Sequence, residues 1–161
     1  VHGPPKLVEE GKGLPFIIVS PQCPKDKVWD TGILTALLDH VCDKYRVDKA
    51  RQYLTGLSMG GYGTWSLGIK ECDRFAAIAP ICGGGNFIEI YNASGVKGAS
   101  MRTLGVWAFH GGRDNVVPLA ESEKMIADLK KFGHPNPKLT VYREARHDSW
   151  TQSYDNLELY G

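Results

Sequence analysis

Short apolar runs alternate with helical patterns along the whole chain, and this alternation limits the possible folds more than any other feature of the sequence. Runs with the length and composition of buried strands cover residues 16–20, 52–55, 76–80, 104–110 and 139–142. Helical patterns cover residues 31–45, 60–69 and 118–132. Strands that alternate with helices favour a mainly parallel sheet flanked by helices. The sequence therefore predicts one α/β domain over residues 1–161.

The composition excludes several classes of protein. The 161 residues carry a net charge of +1, and the lysines and arginines form no stripe, so a nucleic-acid partner is not expected. The longest apolar run, Phe16–Val19, is far shorter than the ~20 residues that cross a bilayer, so no membrane span is expected. No signal peptide and no initiator Met are present. We therefore expect a chain that is truncated at both ends.

The cysteine pattern argues against a metal centre. None of Cys23, Cys42, Cys72 and Cys82 forms a C-x-x-C pair, and no histidine stands at zinc-finger spacing from them. A domain with a sizeable core does not need disulfides, so we expect buried or half-buried free thiols. No cofactor motif and no metal site is predicted.

The segment Gly56-Leu57-Ser58-Met59-Gly60 is the strongest chemical signal in the chain. It matches G-x-S-x-G, in which a sharp turn between a strand and a helix projects a nucleophilic serine above the sheet. A predicted strand precedes it and a predicted helix follows it, which is the context that the motif requires. We expect Gly56 and Gly60 to be glycines because the strained turn leaves no room for side chains beside Ser58.

A serine nucleophile needs a base and an acid, and two side chains follow later strands in the order that this architecture uses. Asp114 lies in a glycine-rich loop after the run 104–110, and His147 follows the run 139–142. The carboxyl ends of parallel strands share one edge of a sheet, where ligand sites form. The sequence therefore predicts that Ser58, Asp114 and His147 converge.

Other titratable residues are weaker candidates. His110 ends a strand and is expected to be buried and hydrogen-bonded, whereas His134 follows a helix and His40 lies within one. Asp148 adjoins His147, but neighbouring side chains of an extended loop point apart, so it is expected to cap the last helix instead. Glu144 is a weak alternative acid.

Some side chains near the predicted edge are candidates for a substrate pocket. Trp29 and Trp150 lie in loops near the C-terminal ends of strands, and Gln22 is a third candidate. Ser149 and Gln152 have the spacing of a capping box, which predicts a helix after His147. Residues 86–102 show no clear pattern and are expected to be irregular.

Four stretches of the sequence resemble one branch of the α/β-hydrolase carboxylesterases. They are SPQCP at 20–24, YLTGLSMGGYGTW at 53–65, APICGGG at 79–85 and HDSWT at 147–151. This branch includes proteins described as predicted peptidases, phospholipase/carboxylesterases or polyhydroxybutyrate depolymerase-like, and is related to dienelactone hydrolase. The resemblance implies a serine esterase that hydrolyses short-chain acyl esters without a cofactor, with Ser58, Asp114 and His147 as its triad. It also favours a C-terminal esterase domain of a modular protein and a secreted or periplasmic location.

The sequence departs from that branch at its start. The family supplies one oxyanion donor from a His-Gly-x-Gly-like loop, and the strand before that loop lies between the strands matching 16–20 and 52–55. His2-Gly3 is no substitute, since Pro4 has no N–H, so Met59 is the one recognisable donor. We expect an upstream segment to supply the rest, or the run 16–20 to pair directly with the run 52–55.

Other functions remain open from the sequence. The same triad serves serine peptidases and amidases, although no peptide-binding region is evident. An acetyl or feruloyl esterase is a narrower variant of the esterase hypothesis. A hydrolase-like binding domain that lacks catalysis belongs to a different class; the complete triad argues against it, and the missing oxyanion loop argues for it.

Overall fold

A parallel four-stranded sheet forms the centre of the molecule in a computed structural model, which describes residues 2–160. The strands lie side by side in chain order, and every neighbouring pair is parallel. The strands are β1 (Tyr53–Leu57), β2 (Ala77–Ile81), β3 (Gly105–Gly111) and β4 (Lys138–Tyr142). The predicted α/β class is confirmed, and these strands lie within two residues of their predicted bounds.

Helices connect and cover the strands. None of the helices in residues 2–160 combines the length and the hydropathy that crossing a bilayer requires. A short 3₁₀ turn at Leu157–Tyr160 follows the last helix. The helices are α1 (Pro4–Glu9), α2 (Thr31–Lys44), α3 (Met59–Lys70), α4 (Phe87–Val96), α5 (Gly98–Thr103), α6 (Leu119–Lys131) and α7 (Trp150–Asp155).

Hydrophobic clusters on the sheet hold these layers together. The larger cluster joins Trp65 of α3, Ile78 of β2 and Leu129 of α6, all with 2% exposure or less. A second cluster brings Phe109 of β3 against Tyr154 of α7. Burying side chains of this size contributes roughly 1.5–3 kcal/mol each. The sheet is therefore a rigid support for the loops at its carboxyl edge.

Helix boundaries follow local polar contacts. Asp30 caps α2, since its Oδ1 accepts a hydrogen bond of 3.0 Å from the Ile33 amide. Gly133 ends the region of α6 with φ at 89°, as expected for a C-terminal glycine. The predicted capping box at Ser149 is wrong, because its hydroxyl makes no cap bond. Asp148 takes that role, as expected, and accepts from the Thr151 amide at 3.2 Å.

The predicted strand over residues 16–20 is wrong. These residues are irregular, and the exposed fractions of Phe16, Ile17, Ile18 and Val19 are 41%, 58%, 36% and 46%. Phe16 does touch the Tyr53 ring, with centroids 5.9 Å apart. However, β1 pairs only with β2 among the described residues, so direct pairing of 16–20 with β1 is also wrong. An apolar run becomes a strand only where a neighbour accepts its backbone hydrogen bonds.

Residues 86–102 are not irregular, contrary to expectation. They form α4 and α5, and Asn86 caps α4 by accepting a hydrogen bond of 2.9 Å from the Ile88 amide. Ile90 and Met101 are buried, so tertiary packing compensates for a segment with weak helical patterning. The helix α1 is likewise not predicted by the sequence analysis.

The cysteines are free thiols, in agreement with the expectation. Cys23, Cys72 and Cys82 are buried, and Cys42 is half-buried. Cys72 and Cys82 belong to the two hydrophobic clusters and act there as small apolar side chains.

A pair of substitutions tests which apolar residues build the core. Ile17→Ala should change the free energy of unfolding by less than about 0.5 kcal/mol, because the side chain is 58% exposed. Ile78→Ala should lower it by about 2–5 kcal/mol, because the side chain is 2% exposed and packs on Gly68. Urea denaturation measures both, and equal losses would contradict the observed placement of residues 16–20.

Candidate active site

Ser58 occupies a sharp turn between β1 and α3. Its φ of 52° and ψ of −117° lie in a region that residues with side chains rarely adopt. The turn is fixed by the end of β2, since the Ser58 amide donates to the Ile81 carbonyl at 3.0 Å and approaches Cys82 Sγ at 3.3 Å. A strained backbone that neighbouring contacts hold in this way is typical of a functional position.

The close packing around this turn requires some glycines but not others. A Cβ on Gly56 would collide with the Gly60 carbonyl, and a Cβ on Gly61 would stand 2.5 Å from the Ile81 carbonyl. A Cβ on Gly60, in contrast, would meet only Trp29 Nε1, at 3.9 Å. The expectation of no room is therefore right for Gly56 and wrong for Gly60, whose Cβ position faces away from the β2 backbone.

His147 lies between Ser58 and Asp114. Its Nε2 is 2.9 Å from Ser58 Oγ, and its Nδ1 is 2.8 Å from Asp114 Oδ2. A carboxylate only accepts, so Nδ1–H donates to Asp114 and the neutral ring leaves Nε2 free to accept the serine proton. The histidine side chain is 20% exposed, whereas that of Asp114 is fully buried. The structure thus brings together the three residues that the sequence singled out.

Asp114 is held in its ionised form. Burial alone would raise the pKa of this carboxyl, but hydrogen bonds from His147 and from the Val116 and Val117 amides outweigh it and lower the pKa. Those amides donate to Oδ1 at 2.9 and 3.0 Å, which leaves Oδ2 facing the imidazole. Such a carboxylate can orient a histidine and stabilise its protonated form.

The competing residues have other roles in the structure. His110 is fully buried, with ring nitrogens 2.7 Å from Ser122 Oγ and 2.9 Å from the Val117 carbonyl. His134 is also buried and donates from Nε2 to the Leu104 carbonyl at 2.7 Å. Two further candidates are exposed: His40 on α2, and Glu144 in an ion pair of 2.7 Å with Arg113.

Cys82 lies directly beneath the turn. Its Sγ lies within 4.8 Å of a carboxylate oxygen of Asp114 and a ring nitrogen of His147, a spacing that would suit a metal ion. Burial raises the pKa of the thiol to about 11, so it stays protonated at neutral pH and is a poor metal ligand. Ser58 and Asp114 already occupy the two ring nitrogens of His147, so this geometry favours proton transfer over coordination.

The amide of Met59 begins α3, where backbone N–H groups lack acceptors within the helix. This end of the helix also carries the positive part of its dipole, which favours negative charge next to Ser58. Gly3 precedes α1 and lies against the Tyr154 ring, whereas the His2 ring contacts the Trp150 ring edge-on at 5.5 Å.

A cavity of about 630 Å³ opens beside Ser58. Of the candidate pocket residues, Trp29 lines the cavity, whereas Gln22 and Trp150 do not; the Trp150 ring contacts His147 edge-on at 5.4 Å. Sequence reasoning missed much of the wall, although the spacing of 59, 62, 63 and 66 is that of one helix face. The lining residues are Val28, Trp29, Ser58, Met59, Tyr62, Gly63, Ser66, Gly84, Gly85, Asn86 and Glu89.

Known proteins with similar sequences or structures include several esterases. The chain is 29% identical over 127 residues to a bifunctional acetylxylan esterase/xylanase of Neocallimastix patriciarum; the match covers 70% of the chain and 18% of that enzyme. A thermostable esterase has 30% identity and a TM-score of 0.70, over 86% of the chain and 40% of the esterase. Esterase PE8 has 19% identity and a TM-score of 0.65, over 81% of the chain and 60% of PE8. No protein-family model matches the chain.

The parallel sheet, the turn at Ser58 and the structural neighbours define an α/β-hydrolase fold, of which residues 2–160 form the four strands β1 to β4 without the usual N-terminal ones. Within that fold, the chain is similar in sequence and structure to carboxylesterases. It spans 18% of the length of the curated relative and 40% of the thermostable esterase, so it corresponds to part of each.

Two alanine substitutions in the same motif should have opposite effects. Gly56→Ala should lower the free energy of unfolding by about 1–3 kcal/mol, because the new Cβ collides with the Gly60 carbonyl. Gly60→Ala should leave it unchanged or raise it by up to about 1 kcal/mol, because alanine favours the helix and its Cβ has space. Thermal denaturation of both variants tests this, and a larger loss in Gly60→Ala would contradict the described packing.

Proposed function

We propose that this chain is a serine carboxylesterase that hydrolyses short-chain acyl esters through an acyl-enzyme on Ser58, and that residues 1–161 form one catalytic domain. The observation that carries the proposal is the pair of contacts made by His147, 2.9 Å to Ser58 Oγ and 2.8 Å to Asp114 Oδ2. This is hydrogen-bonding distance for both proton transfer and orientation of the imidazole. The esterase relatives support ester hydrolysis as the reaction.

The proposed reaction uses His147 first as a base and then as an acid. Ser58 Oγ attacks the ester carbonyl carbon while its proton passes to Nε2 of His147. The tetrahedral intermediate collapses as that proton moves to the leaving alcohol, and the acyl group stays on Ser58. Water then gives a proton to Nε2 as it attacks the acyl carbon, and Nε2 passes that proton to Ser58 Oγ as the acyl–oxygen bond breaks and the acid leaves. Asp114 stabilises the imidazolium in each half.

The negative oxygen of the intermediate needs donors. The Met59 amide is one of them in this proposal, since it follows Ser58 directly and begins α3. A second donor can be worth about 10²–10³ in rate, and a segment upstream of residue 1 in the same precursor is our proposed source.

Short acyl groups suit the cavity beside Ser58. Most of its lining is apolar, but Ser66, about two helical turns beyond Met59 on α3, donates from Oγ to Glu89 Oε1 at 2.7 Å. A long unsubstituted chain would press its terminus against this polar pair and exclude water from a carboxylate, which is costly. A peptidase or amidase is less well supported, because the relatives and neighbours at 29–30% identity are esterases.

The central test is covalent labelling with a fluorophosphonate, followed by intact-mass analysis and hydrolysis of 4-nitrophenyl acetate. The wild-type chain should gain one adduct, on Ser58, with loss of fluoride. Ser58→Ala and His147→Ala should lower kcat by about 10⁵–10⁶, and Asp114→Asn by about 10³–10⁴. The matched control His40→Ala, exposed on α2, should keep wild-type activity. A folded wild-type chain with neither adduct nor turnover would contradict the proposal and favour a binding domain.

The acyl preference follows from the polar pair in the cavity. We expect kcat/KM for 4-nitrophenyl acetate and butyrate to exceed that for octanoate by about tenfold or more. Initial rates with Ser58→Ala protein give the background for each ester. An octanoate rate equal to that of butyrate would argue that the chain terminus does not meet Glu89.

A further inference from the structure

Among residues 2–160, Glu89 brings the only formal charge to the lining of the cavity beside Ser58. It lies in the first turn of α4, is half-buried, and forms no ion pair with any residue in 2–160. Ser66 Oγ donates to its Oε1 at 2.7 Å, which holds the carboxylate in place. An ionised carboxyl accepts more than one hydrogen bond, so this group can still accept from a ligand.

The position of this pair relative to Ser58 follows from α3. Met59, Tyr62 and Ser66 lie on one face of the helix, and all three line the cavity. The rise from Met59 to Ser66 is about 10 Å, at roughly 1.5 Å per residue. An extended chain gains about 1.2 Å per bond, so a group seven to nine bonds from the ester carbonyl reaches Glu89.

The acyl part of the ester, not the alcohol, should occupy this cavity. In the proposed reaction His147 protonates the leaving alcohol, so the alcohol must lie on the side of His147. The cavity is lined by Ser58 and Met59 but not by His147 or Trp150. It therefore extends from the serine away from the leaving group, along α3.

We propose that the Ser66–Glu89 pair is a specificity determinant that selects acyl groups with a hydrogen-bond donor, such as a hydroxyl, at their distal end and rejects acyl groups that end in an anion. This inference rests on the proposed esterase function and extends it. A donor at that distance binds the carboxylate, an alkyl end excludes water from it, and a second carboxylate is repelled by it.

The charges along the same wall of the cavity are negative, which is the sign that attracts a hydrogen-bond donor and repels an anion. Burial raises the pKa of the Tyr62 hydroxyl, and the carboxylates of Glu121 and Asp114 raise it further. A Cβ on Gly84 would stand 2.6 Å from Glu121 Oε2, so a second carboxylate lies beside the loop that lines the cavity. No lysine or arginine lines the cavity.

Three 4-nitrophenyl esters of nearly equal length test the proposal: the nonanoate, the 8-hydroxyoctanoate and the monoester of suberic acid. They end in a methyl, a hydroxyl and a carboxylate. In the wild-type chain, kcat/KM for the hydroxyl ester should exceed that for the nonanoate by about tenfold. The suberate monoester should fall about tenfold below the nonanoate.

Variants of Glu89 separate charge from shape. In Glu89→Ala the ratio of hydroxyl ester to nonanoate should fall to about one. In Glu89→Gln, which keeps the size of the side chain, the suberate monoester should rise to about the level of the nonanoate. Glu123→Gln makes the same charge change at an exposed position of α6 and should keep all wild-type ratios. Wild-type ratios in Glu89→Ala would overturn the proposal.

A binding measurement keeps this inference separate from the esterase proposal. Ser58→Ala protein is titrated calorimetrically with 8-hydroxyoctanamide and with nonanamide, neither of which needs turnover. Tighter binding of the hydroxyl amide, lost in Ser58→Ala/Glu89→Ala, supports the selectivity even if the wild-type chain hydrolyses no ester. Equal binding of the two amides to Ser58→Ala protein would overturn the selectivity even if the wild-type chain is an active esterase.

Discussion

The backbone crossing between the start of α3 and the end of β2 is the contact on which the site depends. Ser58 can hold a positive φ only because its amide is bonded to the Ile81 carbonyl and because Gly61 lies against Gly83 without a side chain on either. That crossing aims the serine hydroxyl at His147 and turns the first amides of α3 toward the same point. The strain of one residue is thus offset by packing between two elements, not by the turn itself.

Whether a feature of this fold could be predicted from the sequence depends on whether it needs knowledge of its packing partners. The strands and the residues that follow them were accessible from sequence, because parallel strands bring their carboxyl ends to one edge whatever the details of packing. The prediction of a strand over residues 16–20 is wrong because an apolar run does not reveal whether a neighbouring strand exists to bond with it. The helices over 87–103 were not predicted because the pattern of the segment is weak. Buried contacts of Ile90 and Met101 stabilise them instead.

Sequence reasoning also met its limit at the cavity. Trp29 was predicted from its place after the run 16–20, which forms no strand, and Glu89 lies in a segment that showed no pattern, with a contact to Ser66 that spans 23 residues. The same holds for Gly60, where the motif suggested a steric need that three-dimensional packing does not impose. Features that arise from one helix face meeting another require the structure, because neither helix alone specifies its partner.

Because His147 lies apart from the cavity, proton transfer and binding of the acyl group involve different sides of the site. In the proposed reaction, His147 and Trp150 lie on the side of Ser58 where the leaving alcohol receives its proton, whereas the face of α3 and the start of α4 form the other side. The two sides share only the serine and its helix. In the proposed reaction, selectivity for the acyl group therefore depends on α4, whereas the hydrogen bonds of His147 are held by the loops after β3 and β4. This arrangement explains how one fold can hold its proton-transfer geometry constant and still differ in the acyl groups that it accepts.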